Sequence, residues 1–210
     1  MNNSSNIIRE TVNGYSLLSA EDILMSSRKI FLTQEVNPDS CDALLKNLMA
    51  LNEENSEAEI TLYINSPGGC VHSGLAVFDY IRFMKAPLRT VCVGTCASMG
   101  AILFLAGDKR EIAPHGRIMI HDPSYGSADI GGKKPHEIQK QVDKLMETKE
   151  ALAQIISNVT GKPLEEIYEL TKEDTFFNAK EACEYGLATS VIGEEPSTKP
   201  NRKRGKSNEQ

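Results

Sequence analysis

The sequence predicts an α/β fold, a mostly parallel sheet flanked by helices within a single domain. Three observations predict it. Short β-branched or aromatic runs such as "EITLYIN" and "LRTVCVG" alternate with stretches of helical apolar period. Their order, strand, helix, strand, helix, strand, is the one that builds parallel crossovers. No internal repeat or linker divides the 210 residues, of which 40% are hydrophobic and 25% charged, a length and balance that suit one sizeable core.

Each element has its own signal. Residues 1 to about 15 are polar and read as weakly ordered, with Ile7 and Ile8 as the candidate apolar anchors. "SAEDILMSSRKIFL" offers a polar cap, helical spacing and then a strand at Lys29–Leu32. "NPDSCDALLKNLMALNEEN" is an amphipathic helix, with Pro38 near its start and Leu44, Leu45, Leu48, Met49 and Leu51 on one side. The strand "EITLYIN" runs into the small-residue loop "SPGGCVHSG", and "GLAVFDYIRFMK" forms a second amphipathic helix closed by Ala86-Pro87. "LRTVCVG" reads as a buried strand and "SMGAILFLAG" as a buried helix ending at Gly107. "KREIA" and "RIMIH" are short strands around "PHG". After the polar segment "DPSYGSADIGGKKP", a long helix runs from about His136 to Asn158, with apolar spacing at Ile138, Val142, Leu145, Leu152, Ile155 and Ile156. The short helix "PLEEIYELTK" and the segment "TFFNAKEACEYGL" complete the fold.

Composition narrows the function. The net charge is −6, yet the last twelve residues carry five Lys/Arg against one Glu, so the rest of the chain stands at −10. An acidic body argues against nucleic-acid binding, and the basic end, lacking apolar residues, reads as a solvated disordered tail. No apolar stretch is long enough to span a bilayer, and the N-terminus lacks the apolar core of a secretory signal, so the expected location is cytoplasmic by default, with an organelle or a virus-infected cell fitting equally well. Cys41, Cys70, Cys92, Cys96 and Cys183 are odd in number and scattered without a CxxC. They read as small apolar residues in a reducing compartment, with Cys92 and Cys96 flanking a turn between a strand and a helix.

Three features carry chemistry. Ser98 follows the strand "TVCVG" and opens the helix "MGAILFLAG", where unpaired helix N–H groups favour developing negative charge. A serine there is most often only a cap, and Cys96 stands where a G-x-S-x-G elbow needs its first glycine, which removes the main support for an α/β-hydrolase. "NSPGGC" places two glycines at a strand end, where bare backbone N–H groups can hold an oxyanion; no G-K-[ST] follows, so it is not a phosphate loop. His121 ends the apolar strand "RIMIH", at a sheet edge where sites commonly open, and is placed to act as a general base. The neighbouring acids and histidines lack metal-ligand spacing. A triad also needs a carboxylate to orient the imidazole, and spacing alone leaves Asp122, Asp129, Asp143 and Asp174 open. Asp174, beside Phe176-Phe177, is the one suggested to be partly desolvated and aimed inward.

"LYINSPGG", "GTCASMGAILFLAG", "RIMIH" and "EDTFFNAKEACEYGL", in that order over about residues 28 to 193, resemble the proteolytic subunit of Clp protease, the ClpP family. The resemblance implies a crotonase-like α/β fold with a handle helix, the handle covering about residues 125–158, an N-terminal axial segment over 1–27 and a disordered basic tail over 194–210. It implies a serine endopeptidase with Ser98 as nucleophile, His121 as base, Asp174 as orienting acid, and the N–H groups of Gly69 and Met99 as the oxyanion hole. It implies no metal or organic cofactor, polypeptide substrates, stacked heptameric rings and an AAA+ unfoldase partner, with no nucleic-acid or membrane partner.

Several positions depart from the pattern. Asp122 replaces the usual glutamine after the histidine and is expected to point into solvent. The segment "SYGSADIGGKKPHEI", with Lys133 and Lys134, is a few residues longer than usual, and Glu173 stands where relatives often carry an arginine at the ring-to-ring contact. Tyr63 reads either as part of an unfoldase-docking pocket or as a plain sheet-face aromatic. Three other functions fit less well: a phage-type prohead protease of the same fold, a non-catalytic ring paralogue, and a crotonase-type acyl-CoA enzyme.

Overall fold

The computed structural model describes residues 6–11, 14–124 and 132–194. The expected α/β architecture is present. A parallel sheet places β3 (Lys29–Leu32), β4 (Ile60–Ser66), β5 (Leu88–Ala97), β6 (Lys109–Ile112) and β9 (Ser190–Val191) side by side in that order. Its middle strand, β5, is long enough to serve two partners: Arg89–Cys92 pairs with β6, and Thr95–Ala97 pairs with β7 (Arg117–Ile120). β8 (Thr175–Asn178) adds to β7 antiparallel, with Ile120 opposite Thr175. Helices α2 (Pro38–Glu54), α3 (Val71–Phe83) and α4 (Met99–Leu105) cross between the strands. The long α5 (Pro135–Thr160), α6 (Leu164–Thr171) and α7 (Ala179–Tyr185) follow.

The core sits between sheet and helices. Ile60, Leu62 and Ile64 on β4, Leu44, Leu48 and Leu51 on α2, and every residue of α4 are buried. Each large aliphatic side chain so removed from water stabilises the fold by about 1.5–3 kcal/mol. Helix α2 opens with the capping box Asn37/Ser40 and Pro38 in its first turn. At its other end, the Arg28 guanidinium donates to the carbonyls of Leu51 and Asn55 at 3.0 and 2.9 Å and to Ala58 at 3.0 Å, a cation on the negative end of the helix. Among the described residues no helix is long and apolar enough to cross a membrane.

Four sequence expectations change. The segment read as weakly ordered holds a strand, β1 (Asn6–Thr11), paired antiparallel with β2 (Gly14–Ser19), which leads into α1 (Ala20–Ser26). Main-chain pairing rather than burial organises it, because Ile7 and Ile8 are exposed instead of anchored. Helix α3 starts at Val71, inside the stretch read as loop. Strand β5 continues past Gly94, so Cys92 and Cys96 lie within one strand instead of flanking a turn. A bulge separates them: Ile64 faces Cys92 while Ser66 faces Cys96, four residues of β5 against two of β4. The polar half of the expected insertion falls outside the described residues, and Lys134 is the residue before α5, its N–H bonded to Glu137 at 2.7 Å. The basic tail beyond Glu194 also lies outside them.

Candidate active site

The site forms where β5 ends and α4 begins. Ser98 joins them with φ +51° and ψ −123°, a backbone conformation that a residue with a Cβ adopts only under strain of roughly 1–3 kcal/mol. What holds it is the surroundings. Its N–H donates to the Met119 carbonyl at 2.9 Å, tying it to β7, and its carbonyl accepts from Ala101 and Ile102 in the first turn of α4. The hydroxyl makes no capping hydrogen bond to α4, so the commonest use of a serine at a helix start does not apply here.

His121 receives the hydroxyl. The imidazole lies just past the end of β7, with Nε2 2.8 Å from Ser98 Oγ. On its far side, Nδ1 is 3.5 Å from Oδ1 of Asp174, one residue before β8. The antiparallel pairing of β7 with β8 produces this meeting, because Ile120 opposite Thr175 sets the residues just beyond each strand beside one another. His121 is about one-quarter exposed, but the Asp174 side chain is 63% exposed. The expectation that the aromatic pair desolvates Asp174 is therefore corrected: Phe177 is buried in the core while Phe176 faces out at 57% exposure. Of the other acids considered, Asp143 accepts from Gln139 on the exposed face of α5, and Asp129 lies outside the described residues.

The diglycine bend closes the opposite wall. Gly68 and Gly69 have φ +92° and +140°. A Cβ on Gly68 would lie 2.6 Å from both the Ala97 carbonyl oxygen and Ser98 Cβ, and 2.9 Å from the Met99 nitrogen; only a bare backbone fits this close to the serine. The Val36 N–H donates to the Gly68 carbonyl and the Cys70 N–H to the Val36 carbonyl, at 2.8 and 2.6 Å. By strand alternation, the N–H of Gly69 between them turns away from Val36.

A cleft of about 610 Å³ opens over these groups, bordered by Gly69, Val71, Ser98 and His121, within the range of sites that enclose a ligand. A narrower cavity of about 30 Å³ continues from Ser98 toward α5, with Met99, Leu152 and Ile156 among its apolar lining. Two features of these walls were missed. Cys70, read as a small apolar residue, is exposed at the cleft, where hydrogen bonds from Ser73 hold its thiol below the usual range. Asp122, expected to face solvent, turns inward: Oδ2 is 2.5 Å from Lys149 Nζ on α5, and Oδ1 accepts from Thr171 Oγ1 at 2.6 Å. Burial beside a cation, at 29% and 18% exposure for the two side chains, outweighs the solvation a lone carboxylate would seek. His72 lines the cleft, while His115 and His136 lie away from it.

The sequence profile of the Clp protease family matches residues 13–195. The chain is 41% identical over 192 residues to "ATP-dependent Clp protease proteolytic subunit 2" of Parasynechococcus marenigrum (strain WH8102), covering 90% of this chain and 95% of that protein. It is 40% identical over the same length, with the same coverage, to "ATP-dependent Clp protease proteolytic subunit 1" of Synechococcus sp. (strain CC9902).

Proposed function

Because this chain belongs to the Clp protease family, we propose that it is a serine endopeptidase that hydrolyses peptide bonds of unfolded polypeptides. One observation carries the reading: Ser98 Oγ lies 2.8 Å from His121 Nε2, with Asp174 behind the ring. In this reading Ser98 attacks the substrate carbonyl as His121 takes its proton. Asp174 holds the imidazole in the tautomer with its free nitrogen toward Ser98 and steadies the imidazolium that forms. His121 then gives the proton to the leaving amine, and water repeats the sequence on the acyl-enzyme.

The N–H groups of Gly69 and Met99 receive the oxyanion. Two features support this: Gly69 turns its N–H away from Val36, and Met99 is the first residue of α4, where an N–H has no intrahelical acceptor. The sequence carries no nucleotide-binding motif, so ATP dependence of the kind in the relatives' names requires a separate unfoldase. The stack of exposed Phe31 on half-buried Tyr63, 5.1 Å between centroids, is our candidate for its docking contact. The particle is proposed to be two stacked heptameric rings working in the cytoplasm.

The test is a fluorophosphonate serine-hydrolase probe followed by peptide mapping. The expected result is an adduct on Ser98, absent in Ser98→Ala, together with loss of peptide cleavage in that variant. An adduct elsewhere, or unchanged cleavage by Ser98→Ala, overturns the reading.

A further inference from the structure

Asp122 is bound on three sides, and none of those bonds belongs to the reaction itself. Its N–H donates to the Thr171 carbonyl at 2.6 Å, Oδ1 accepts from Thr171 Oγ1 at 2.6 Å, and Oδ2 pairs with Lys149 at 2.5 Å. Lys149 also lies over the Tyr168 ring, 5.4 Å from its centroid. One residue therefore joins the end of β7 to α5 and to the last residue of α6.

Its place in the chain gives this cluster its consequence. His121 lies between Ile120, paired to β8, and Asp122, fixed to Thr171. Asp174 lies between Thr171, fixed to Asp122, and Thr175, paired to Ile120. The two short segments are thus pinned to each other at both ends, with His121 and Asp174 facing across the gap. Thr175 Oγ1 donates to the Leu170 carbonyl at 2.7 Å and fixes the far side of the same loop. The strand pairing supplies one end of this frame, and the polar cluster supplies the other.

We propose that Asp122, Thr171 and Lys149 are positioning residues: a polar clamp that sets the approach of Asp174 to His121 and so the direction in which the imidazole presents Nε2 to Ser98. The inference rests on the peptidase reading above. None of the three touches the scissile bond. The clamp acts by holding the segments that carry the two triad members, and the partly buried ion pair makes the hold directional, because a charged pair with a further hydrogen bond tolerates little angular drift. Lys149 adds the handle helix to the frame, so α5 fixes one wall of the narrow cavity and, through Asp122, the orientation of the base.

The experiment uses the assembled full-length chain and a fluorogenic peptide. It compares wild type, Asp122→Ala, Thr171→Val, Thr171→Ser and Lys149→Met for kcat, KM, rate of phosphonylation at Ser98, particle size and thermal unfolding. In Asp122→Ala and Thr171→Val, kcat and the phosphonylation rate are expected to fall about 10- to 100-fold, the scale that a misplacement of about 1 Å imposes on a reacting group. KM is expected to stay within about twofold, the pattern of an interaction felt in the transition state. Lys149→Met is expected to fall less, since Thr171 still holds Asp122, and Thr171→Ser to recover most of the activity by restoring the hydroxyl. Turnover within twofold of wild type in both Asp122→Ala and Thr171→Val, a loss confined to KM, or no recovery in Thr171→Ser overturns the clamp. A wild-type particle that neither cleaves peptide nor takes the probe at Ser98 overturns the peptidase reading, and the clamp with it.

Discussion

Ser98 shows how much a single residue asks of its neighbours. Its positive φ is tolerated because bare backbone at Gly68 and small residues around it leave room for the turn. Ser98 and His121 were legible in the sequence, since each sits at a boundary between an apolar run and a turn, whereas spacing left four acids open and only the resemblance singled out Asp174. The partners of Asp122 were not: Lys149 and Thr171 lie 27 and 49 residues away, a separation that no local pattern reports. Cys70 was misread for a similar reason, because exposure depends on what packs over a residue rather than on its type. Its thiol, held below the usual range by the Ser73 hydroxyl, is more thiolate at neutral pH than an ordinary cysteine, whereas burial pushes Cys41 and Cys183 up. Iodoacetamide at pH 7 should therefore alkylate Cys70 first in the native protein, with Cys41, Cys92 and Cys96 protected. In Ser73→Ala the pH at which Cys70 reaches half its maximal rate should move upward. Peptide mapping over a pH series checks both.

Among the elements, the helices were the easiest to read, because their apolar period survives any tertiary context. Helix α2 was expected over nearly its whole length and is found at Pro38–Glu54. The β1–β2 hairpin was missed because it buries too little apolar surface to leave an alternating pattern, and β5 was cut short because Gly94 reads as a strand end when it lies in a bulge. A cap from outside an element is also hidden from local reading. Arg28, at φ +59°, reaches the end of α2 with several charge-assisted hydrogen bonds. Arg28→Ala should lower stability by about 3 kcal/mol, by the cost of leaving carbonyls without their charged donor. Arg28→Gly should lose less, because glycine adopts positive φ without strain. Urea unfolding of the three proteins gives the order; equal losses would show that backbone strain at residue 28 is negligible.

On the scale of the whole molecule, α5 is divided. Leu152, Ala153 and Ile156 are buried against the body, while Val142 and Met146, nearer its start, are 46% and 57% exposed. The apolar stripe read from the sequence runs through both halves, and among the described residues only one half is buried. Exposed apolar side chains of this kind are where the proposed ring assembly would find a contact. Val142→Glu with Met146→Glu should abolish assembly of the proposed double ring while leaving the far-ultraviolet circular dichroism and the unfolding midpoint of the subunit close to wild type. Sedimentation velocity measures the first, and a thermal melt the second.

The order of the strands in the sheet has a consequence for synthesis. Asp174 reaches His121 only when β8 has zipped onto β7, and β8 is among the last strands to leave the ribosome. A nascent chain that has already folded β5, α4 and β7 displays the serine and the histidine but has no acid beside them. Until β8 is made, Ser98 and His121 therefore stand without the Asp174 carboxylate behind the imidazole.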